Sequence, residues 1–476
     1  MNKLYRLLAP LDGFAWQRLL KFANSPFFTE SERFSVFIQD LHKDRKQQFA
    51  QYTSGYAGLS AQAFRQLLSD TAEFVVLFLR MQASLDHPQE SVFALHTQLL
   101  DDGFEDIATK QLAFLRNMSD ADMHRNAAFY KNKYEIEFAL LQQQNREVKR
   151  VEKANLEATV AAFDTWFLSE RLRLTCDALN RSRILQHEYD IADAALLVQW
   201  AAESRYAALP AVAVFLHIWA ILQMQNADEN SVQNAENAFR QLILLLKNEG
   251  KNFAITELST IYIYPQNYCI RQINSGKEAY NRTFFEMMQT MLTDNILMDD
   301  KGELSPWHYK NMVAVGLRCG DYAWVEDFLQ RYNEKLPAGF RNNALNYNMA
   351  KLAFAKQNYK KVLENLQNVE YEDVFYALDS RWTLIKTYYH LDEYDAVEAQ
   401  MDTFRIFLLR HKSLSATLQK QYLQLLRFTK RLLTATTPAK ITQLAADINA
   451  KPQLPDKKWL LAQAISLPQP LQGGEM

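Results

Sequence analysis

GDYAWVEDFL, residues 320 to 329, decides the fold, because it is either an isolated turn or one copy of a recurring unit. Tyr322 recurs as Tyr359 in QNYKKVLENLQNV and as Tyr394 in DEYDAVEAQMDTF, at separations of 37 and 35 residues. Three residues beyond each Tyr stand Val325, Val362 and Val397; seven beyond, Leu329, Leu366 and Met401; ten beyond, Tyr332, Val369 and Phe404. Offsets of three, seven and ten share one face of a helix. Five residues before each Tyr stand Leu317, Phe354 and Tyr389, and ten before, Met312, Met349 and Leu384, which gives a preceding helix its own apolar face. The predicted unit is a helix, a turn bearing Gly320-Asp321, Gln357-Asn358 or Asp392-Glu393, and a second helix. Units of this length cannot bury their apolar faces alone, so copies stack.

Composition supports helices throughout. The chain has 476 residues, 48% hydrophobic and 23% charged, an ordinary folded composition with mass for about two to four domains. Its twelve glycines are about a third of the usual share of about 7%, which leaves few sites for hairpins or phosphate-cradling loops. Cys176, Cys269 and Cys319 are odd in number and form no CxxC pair, so neither a disulfide framework nor a four-cysteine zinc site is on offer. A reducing cytoplasm is the predicted setting. MNKLYRLLAPLDG has no sustained apolar run and reads as a first short helix rather than a signal peptide. The most apolar stretch, Ala207 to Leu222, falls short of the about 20 residues needed to cross a bilayer and is interrupted by Pro210 and His217. It predicts a buried helix with Pro210 in its first turn and His217 as a core histidine, and no membrane span.

Helical period runs along the rest of the chain. Thr29 and Glu32 form a capping box ahead of Phe34, Phe37, Ile38 and Leu41. Amphipathic stretches follow at Phe64 to Leu85, Val92 to Leu100, Ile107 to Arg116 and Ala127 to Leu141. Polar Gln142 to Asn155 is a soft boundary, either linker or exposed helix. Beyond it the pattern resumes, with Gly250 placed as a C-terminal cap after AENAFRQLILLLKNE. STIYIYPQNY, residues 259 to 268, alternates like a strand for four residues; a helix end followed by a loop fits it equally. Lys301-Gly302 marks a turn before a helix capped by Ser305 and opened by Pro306.

The GDY turn with aliphatic residues three and seven positions on resembles the tetratricopeptide repeat, whose period is about 34. The resemblance covers Tyr309 to Phe407 and implies stacked helical hairpins. It departs at Val325, Val362 and Val397, where that family carries a small residue, and at bulky Tyr332, Val369 and Phe404, so ligand-groove positions do not transfer. SPFF, CDALNRSRI and the run from WHYKNMVAVGL to FRIFLLRHKSL are similar to segments of uncharacterised bacterial helical-repeat proteins, a resemblance that implies a fold and no known chemistry.

Charge is ordered along the C-terminal half. Between Leu363 and Asp402, ten acidic residues face only Arg381 and Lys386; between Thr403 and Ala446 there are eight basic residues and no acid. The whole chain nets −2. In the last long helix Leu418, Tyr422, Leu425, Thr429 and Leu433 are expected to face inward, with Lys420, Arg427 and Arg431 exposed. The segment is either a solvated basic helix beside an acidic repeat or, with Arg405, Arg410 and Lys412, a docking surface for an acidic protein, nucleic acid or anionic lipid, with protein preferred.

Catalytic and metal motifs are weak. Asp120, Asp122 and His124 offer a metal half-site without complementary ligands and read as a polar helix start. His187-Glu188 lacks the second histidine of a zincin helix, and Gly276-Lys277 has Arg271 where a P-loop needs glycine. Asp299-Asp300 before Lys301-Gly302 fails the calcium-loop pattern, because with Gly302 as the sixth residue the first ligand position is Leu297. No GxGxxG or GxSxG occurs.

The sequence therefore predicts an all-α protein, an α-solenoid of TPR-like stacked helical hairpins. Its divisions are an N-terminal helical region (1–145), a middle helical region (146–304), the repeats with the basic helix (305–435) and a C-terminal extension with a short helix at Lys457 to Ile465 (436–476). The predicted role is a non-catalytic scaffold for a protein partner, without a cofactor, using Asn346, Asn348 and Arg381 on the first helices. A nucleic-acid-associated regulator using 403–446 and an enzyme with a non-local helical site are the alternatives.

Overall fold

The computed structural model describes residues 2–466 except 29–31, 48, 53–54, 57, 87, 147–152, 186–188, 224–228, 368, 370–373, 412–413 and 452–453. Among the described residues the chain is all-helical, with one isolated β-bridge between Met298 and Leu304. The Thr29 cap and His187-Glu188 lie outside the described residues.

Two compact units divide at residue 216. The first holds α1 (Lys3–Leu8), α2 (Gly13–Ala23), α3 (Glu32–Asp44), α4 (Ala61–Asp86), α5 (Pro88–Asp101), α6 (Glu105–Ala121), α7 (Ala127–Arg146), α8 (Leu156–Leu185), α9 (Ala194–Glu203) and the start of α10 (Pro210–Leu222). Leu4, Trp16, Leu19, Phe37, Ile38 and Val75 form the core of α1 to α4. Residues 142–146 of the polar stretch belong to α7, and α7 and α8 pack on each other.

The second unit continues with α11 (Glu229–Glu249), α12 (Ile255–Asn274), α13 (Tyr280–Thr293), α14 (Pro306–Arg318), α15 (Tyr322–Tyr332), α16 (Arg341–Ala355), α17 (Tyr359–Leu366), α18 (Val374–His390), α19 (Tyr394–Arg410), α20 (Ala416–Thr434), α21 (Pro438–Asn449) and α22 (Lys457–Ser466). Pro210 opens α10 as expected, and no helix of the described residues is long and apolar enough to cross a membrane. Ser305 Oγ accepts the His308 amide at 3.1 Å, which caps α14 as predicted.

The Tyr register is matched by the helix boundaries: α15, α17 and α19 begin at Tyr322, Tyr359 and Tyr394. Val325, Val362 and Val397 are each 0% exposed, as the spacing requires of the contact face. The turns share one geometry. Gly320, Gln357 and Asp392, each two residues before its Tyr, have φ of +73°, +60° and +59°. The next amide donates to the carbonyl five residues back, Asp321 to Gly316 (3.0 Å), Asn358 to Ala353 (2.8 Å) and Glu393 to Tyr388 (3.0 Å). This left-handed cap satisfies the last carbonyls of each first helix and reverses the chain in two residues. Helix α14 packs on α15, α16 on α17 and α18 on α19, while α14, α16 and α18 pack in sequence on one another.

Three sequence expectations change. Residues 259–268 are neither strand nor loop but lie inside α12, because Ile261, Pro265, Cys269 and Gln272 continue one buried helical stripe that the local Ile-Tyr alternation masks. Gly250 does not cap α11 in the left-handed region; the chain passes through a 3₁₀ turn, Gly250–Asn252, that buries Phe253. In α20 the innermost line is Leu425, Leu426, Phe428, Thr429 and Leu432, with Leu418, Tyr422 and Leu433 only half-buried, since α19, α21 and α22 cover more than one stripe of it.

Candidate interaction surface

In the Tyr register, the positions twelve residues before each landmark are Lys310, Tyr347 and Trp382, and those eight before are Ala314, Lys351 and Lys386. One turn apart, they share a face of α14, α16 and α18. Asp379 on α18 accepts from the Tyr347 hydroxyl and lies 2.9 Å from Lys351 Nζ, both on α16. Lys310 on α14 stands 4.8 Å from the Tyr376 ring centroid and 5.4 Å from that of Tyr347, a cation over aromatic faces. Burial opposes ionisation of Asp379, but the Lys351 ammonium, the Tyr347 hydroxyl and Lys310 outweigh it and hold its pKa at about 2. Burial, then the charge of Asp379, pushes the Tyr347 hydroxyl far up.

One step along α18 the polar contacts go to the C-terminal helix. Trp382 Nε1 and Lys386 Nζ both donate to Asp456 Oδ2, at 2.8 Å and 2.6 Å. Lys386 is 8% exposed; burial lowers its pKa and Asp456 opposes that shift. Trp459 on α22 donates its Nε1 proton to His390 Nε2 at 3.2 Å, and its ring meets Trp382 and Tyr389 edge-on at 5.4 Å and 5.3 Å. Burial and the nearby Lys386 lower the His390 pKa, which suits a neutral ring accepting at Nε2. This network was missed in the sequence because polar residues on first helices read as solvent-facing; the Tyr register, applied to polar as well as apolar positions, was the signal that finds it.

The predicted contact residues divide. Arg405 and Arg410 are exposed on α19, and Lys420 and Arg427 on α20, as expected. Lys412 lies outside the described residues. Arg431 is engaged, its Nη2 2.7 Å from Asp447 Oδ2 on α21, a partner just beyond the acid-free stretch. Asn348 is corrected: it is 1% exposed and donates to the Ala344 carbonyl at 2.8 Å, because it lies on the side of α16 packed against neighbouring helices. Arg381 stacks over Phe407 of α19 at 4.7 Å, inside its own hairpin. Asn346 is half-buried. In α19 the charge order follows the helix dipole, with Asp395 in the first turn and Arg410 in the last.

Asp120, Asp122 and His124 end a helix rather than start one: Arg125 donates to the carbonyls of Asp120, Asp122 and His124 just past α6. His124 Nδ1 lies 3.0 Å from Asp122 Oδ1. Among the described residues, no group of three or more His, Cys, Asp or Glu is arranged to hold a metal ion.

The first unit carries a surface the sequence reading passed over. Tyr134 and Phe138 on α7, Phe163, Trp166 and Phe167 on α8, and Trp200 on α9 form a chain of ring contacts with centroids 5.2–6.5 Å apart. Phe138, Phe163, Phe167 and Trp200 are 39–45% exposed, an apolar patch of the kind that marks interaction sites. Compared with protein-family models, curated proteins and solved structures, the chain has no match.

Proposed function

We propose that this protein is a non-catalytic scaffold for a protein partner, with its second unit built as a solenoid of TPR-like hairpins. The observation that carries this reading is the stack of first helices α14, α16 and α18, joined to their second helices by three turns of one geometry. Stacked helical hairpins of this kind offer an extended surface that suits an extended or helical peptide segment. The aromatic patch of the first unit supports protein binding independently. The proposed setting is the cytoplasm, where Cys176 and Cys269 stay reduced; both are buried thiols whose pKa burial raises.

The exposed basic stripe of Lys420, Arg427 and Lys430 favours a second reading, a nucleic-acid-associated regulator. Co-purification of the tagged protein from its own cells, with and without nuclease and at two salt concentrations, separates the two. A discrete protein that survives nuclease supports the scaffold. Nucleic acid lost with nuclease, together with loss of binding in Lys420→Glu/Arg427→Glu, overturns it in favour of the regulator.

A further inference from the structure

The polar pairs on α16 and α18 each meet a carboxylate, but from different sources. Tyr347 and Lys351 engage Asp379, which the next first helix supplies. Trp382 and Lys386, in the equivalent register, are followed by α20, which contains no acidic residue. Their carboxylate comes instead from Asp456, 70 residues on from Lys386. Two donors from one helix converge on a single oxygen, and the side chain of Lys386 is only 10% exposed. A buried ammonium without a counter-ion is costly, and the neighbouring carboxylate of Asp379 is already taken by Lys351 and Tyr347. The face of α18 is thus a built carboxylate receptor with an indole site beside it, where His390 accepts the Trp459 N–H.

The present occupant is a short segment that docks on α20 and α21 and adds Leu454, Leu460 and Ala464 to their core. Helix α22 has ten residues, too short to be stable alone. It buries Leu460 and Ala464, but Ile465 is 76% exposed. Asp456 enters it at φ +47°, in the left-handed region that Asp adopts more readily than most residues. The bridge from Lys458 to Glu278 is exposed on both sides and adds little.

We infer that Trp382, Lys386 and His390 form a receptor for a helical partner segment bearing a carboxylate at its start and an indole three residues later, which Asp456 and Trp459 occupy in cis until a partner displaces them. The inference rests on the scaffold reading and deepens it by naming the partner's chemistry. Because the tethered segment competes at high effective concentration, trans binding is weak until the tether is weakened.

The test is fluorescence anisotropy of a labelled synthetic peptide spanning residues 454–466 with the full chain. Asp456→Ala/Trp459→Ala in the full chain is expected to bind the peptide at least ten-fold more tightly than the wild type, and added Lys386→Met to abolish the gain. A peptide carrying the same two alanines is expected not to bind. Equal binding by wild type and double variant, with native helix content by circular dichroism, overturns the inference. Should that variant unfold, Trp459→Ala alone keeps the Asp456–Lys386 pair and removes only the indole from its site: a two- to three-fold gain supports the receptor, and no gain overturns it. Excess peptide that fails to release a co-purified partner sinks the inference alone, whereas peptide binding without any protein partner sinks the scaffold reading alone.

Discussion

Gly316→Ala tests the hairpin packing on which the second unit depends. Gly316 lies inside α14, where alanine is favoured over glycine by about 0.5–1 kcal/mol on helix propensity alone. A Cβ there meets Val325 Cγ2 of α15 at 2.6 Å and Phe285 of α13 at 3.3 Å. Val325 and Phe285 are both 0% exposed, so neither has room to retreat. Overpacking of this kind costs about 1–3 kcal/mol, so the net expectation is a loss of about 1–2 kcal/mol. Val325→Ala removes two buried methyl groups and costs about 2 kcal/mol by itself. In the double variant the new methyl enters the space left by the valine, and the two losses should not add; the coupling should be about 1–2 kcal/mol in favour of the pair. Urea titration by far-UV circular dichroism, with hydrogen exchange of peptides covering 306–332 to assign the loss to this hairpin, measures it. A stabilised Gly316→Ala, additive with Val325→Ala within about 0.5 kcal/mol, would refute the close approach of α14 and α15.

The turns give a prediction of opposite sign. Gln357→Gly and Asp392→Gly should each stabilise by about 0.5–1 kcal/mol, since glycine relieves the left-handed strain at a modest cost in chain entropy. Gly320→Ala should cost about 1 kcal/mol, and thermal melts that reverse either order contradict the shared cap. Asp379 sets a pH dependence: its pKa is held down to about 2 in the fold, so its stabilisation is complete above the unfolded carboxylate range and is lost as pH falls from about 4 towards 2. Asp379→Asn should be less stable at neutral pH and flatter across that window, which stability curves between pH 2 and 7 check. Single replacement of Asp456 by Ala, leaving Lys386 without its carboxylate, should cost about 2–4 kcal/mol, and the combined Lys386→Met/Asp456→Leu should recover most of it; an Asp456→Ala melt matching the wild type would show the pair to be idle.

Much of the second unit is legible in the sequence because helical period and turn register are short-range properties. Tyr322, Tyr359 and Tyr394 and the valines three residues on mark the second helices within a window of one unit, and the valines are buried as that spacing requires. Pro265 shows where a local window misleads: the residues around it look like strand or loop, yet the stripe from Ile261 to Gln272 buries a helix through it. Polar side chains are harder to assign from local pattern. Asn346 and Asn348 sit two residues apart on one helix, and only the packing of α16 decides that Asn348 is buried. Arg431 is expected to be exposed from its place on the helix, and no local pattern shows that Asp447, one residue beyond the acid-free stretch, reaches it from α21. Lys386 carries the largest difference, for its ion-pair partner is 70 residues away and is brought to it by α20, α21 and the turn before α22. By itself the sequence determined the all-helical class and the Tyr register of α15, α17 and α19, because each is written in spacings no longer than a hairpin. Only the tertiary structure decided which charges meet, because a carboxylate finds its lysine through the path of the whole chain, and no spacing within either helix records it.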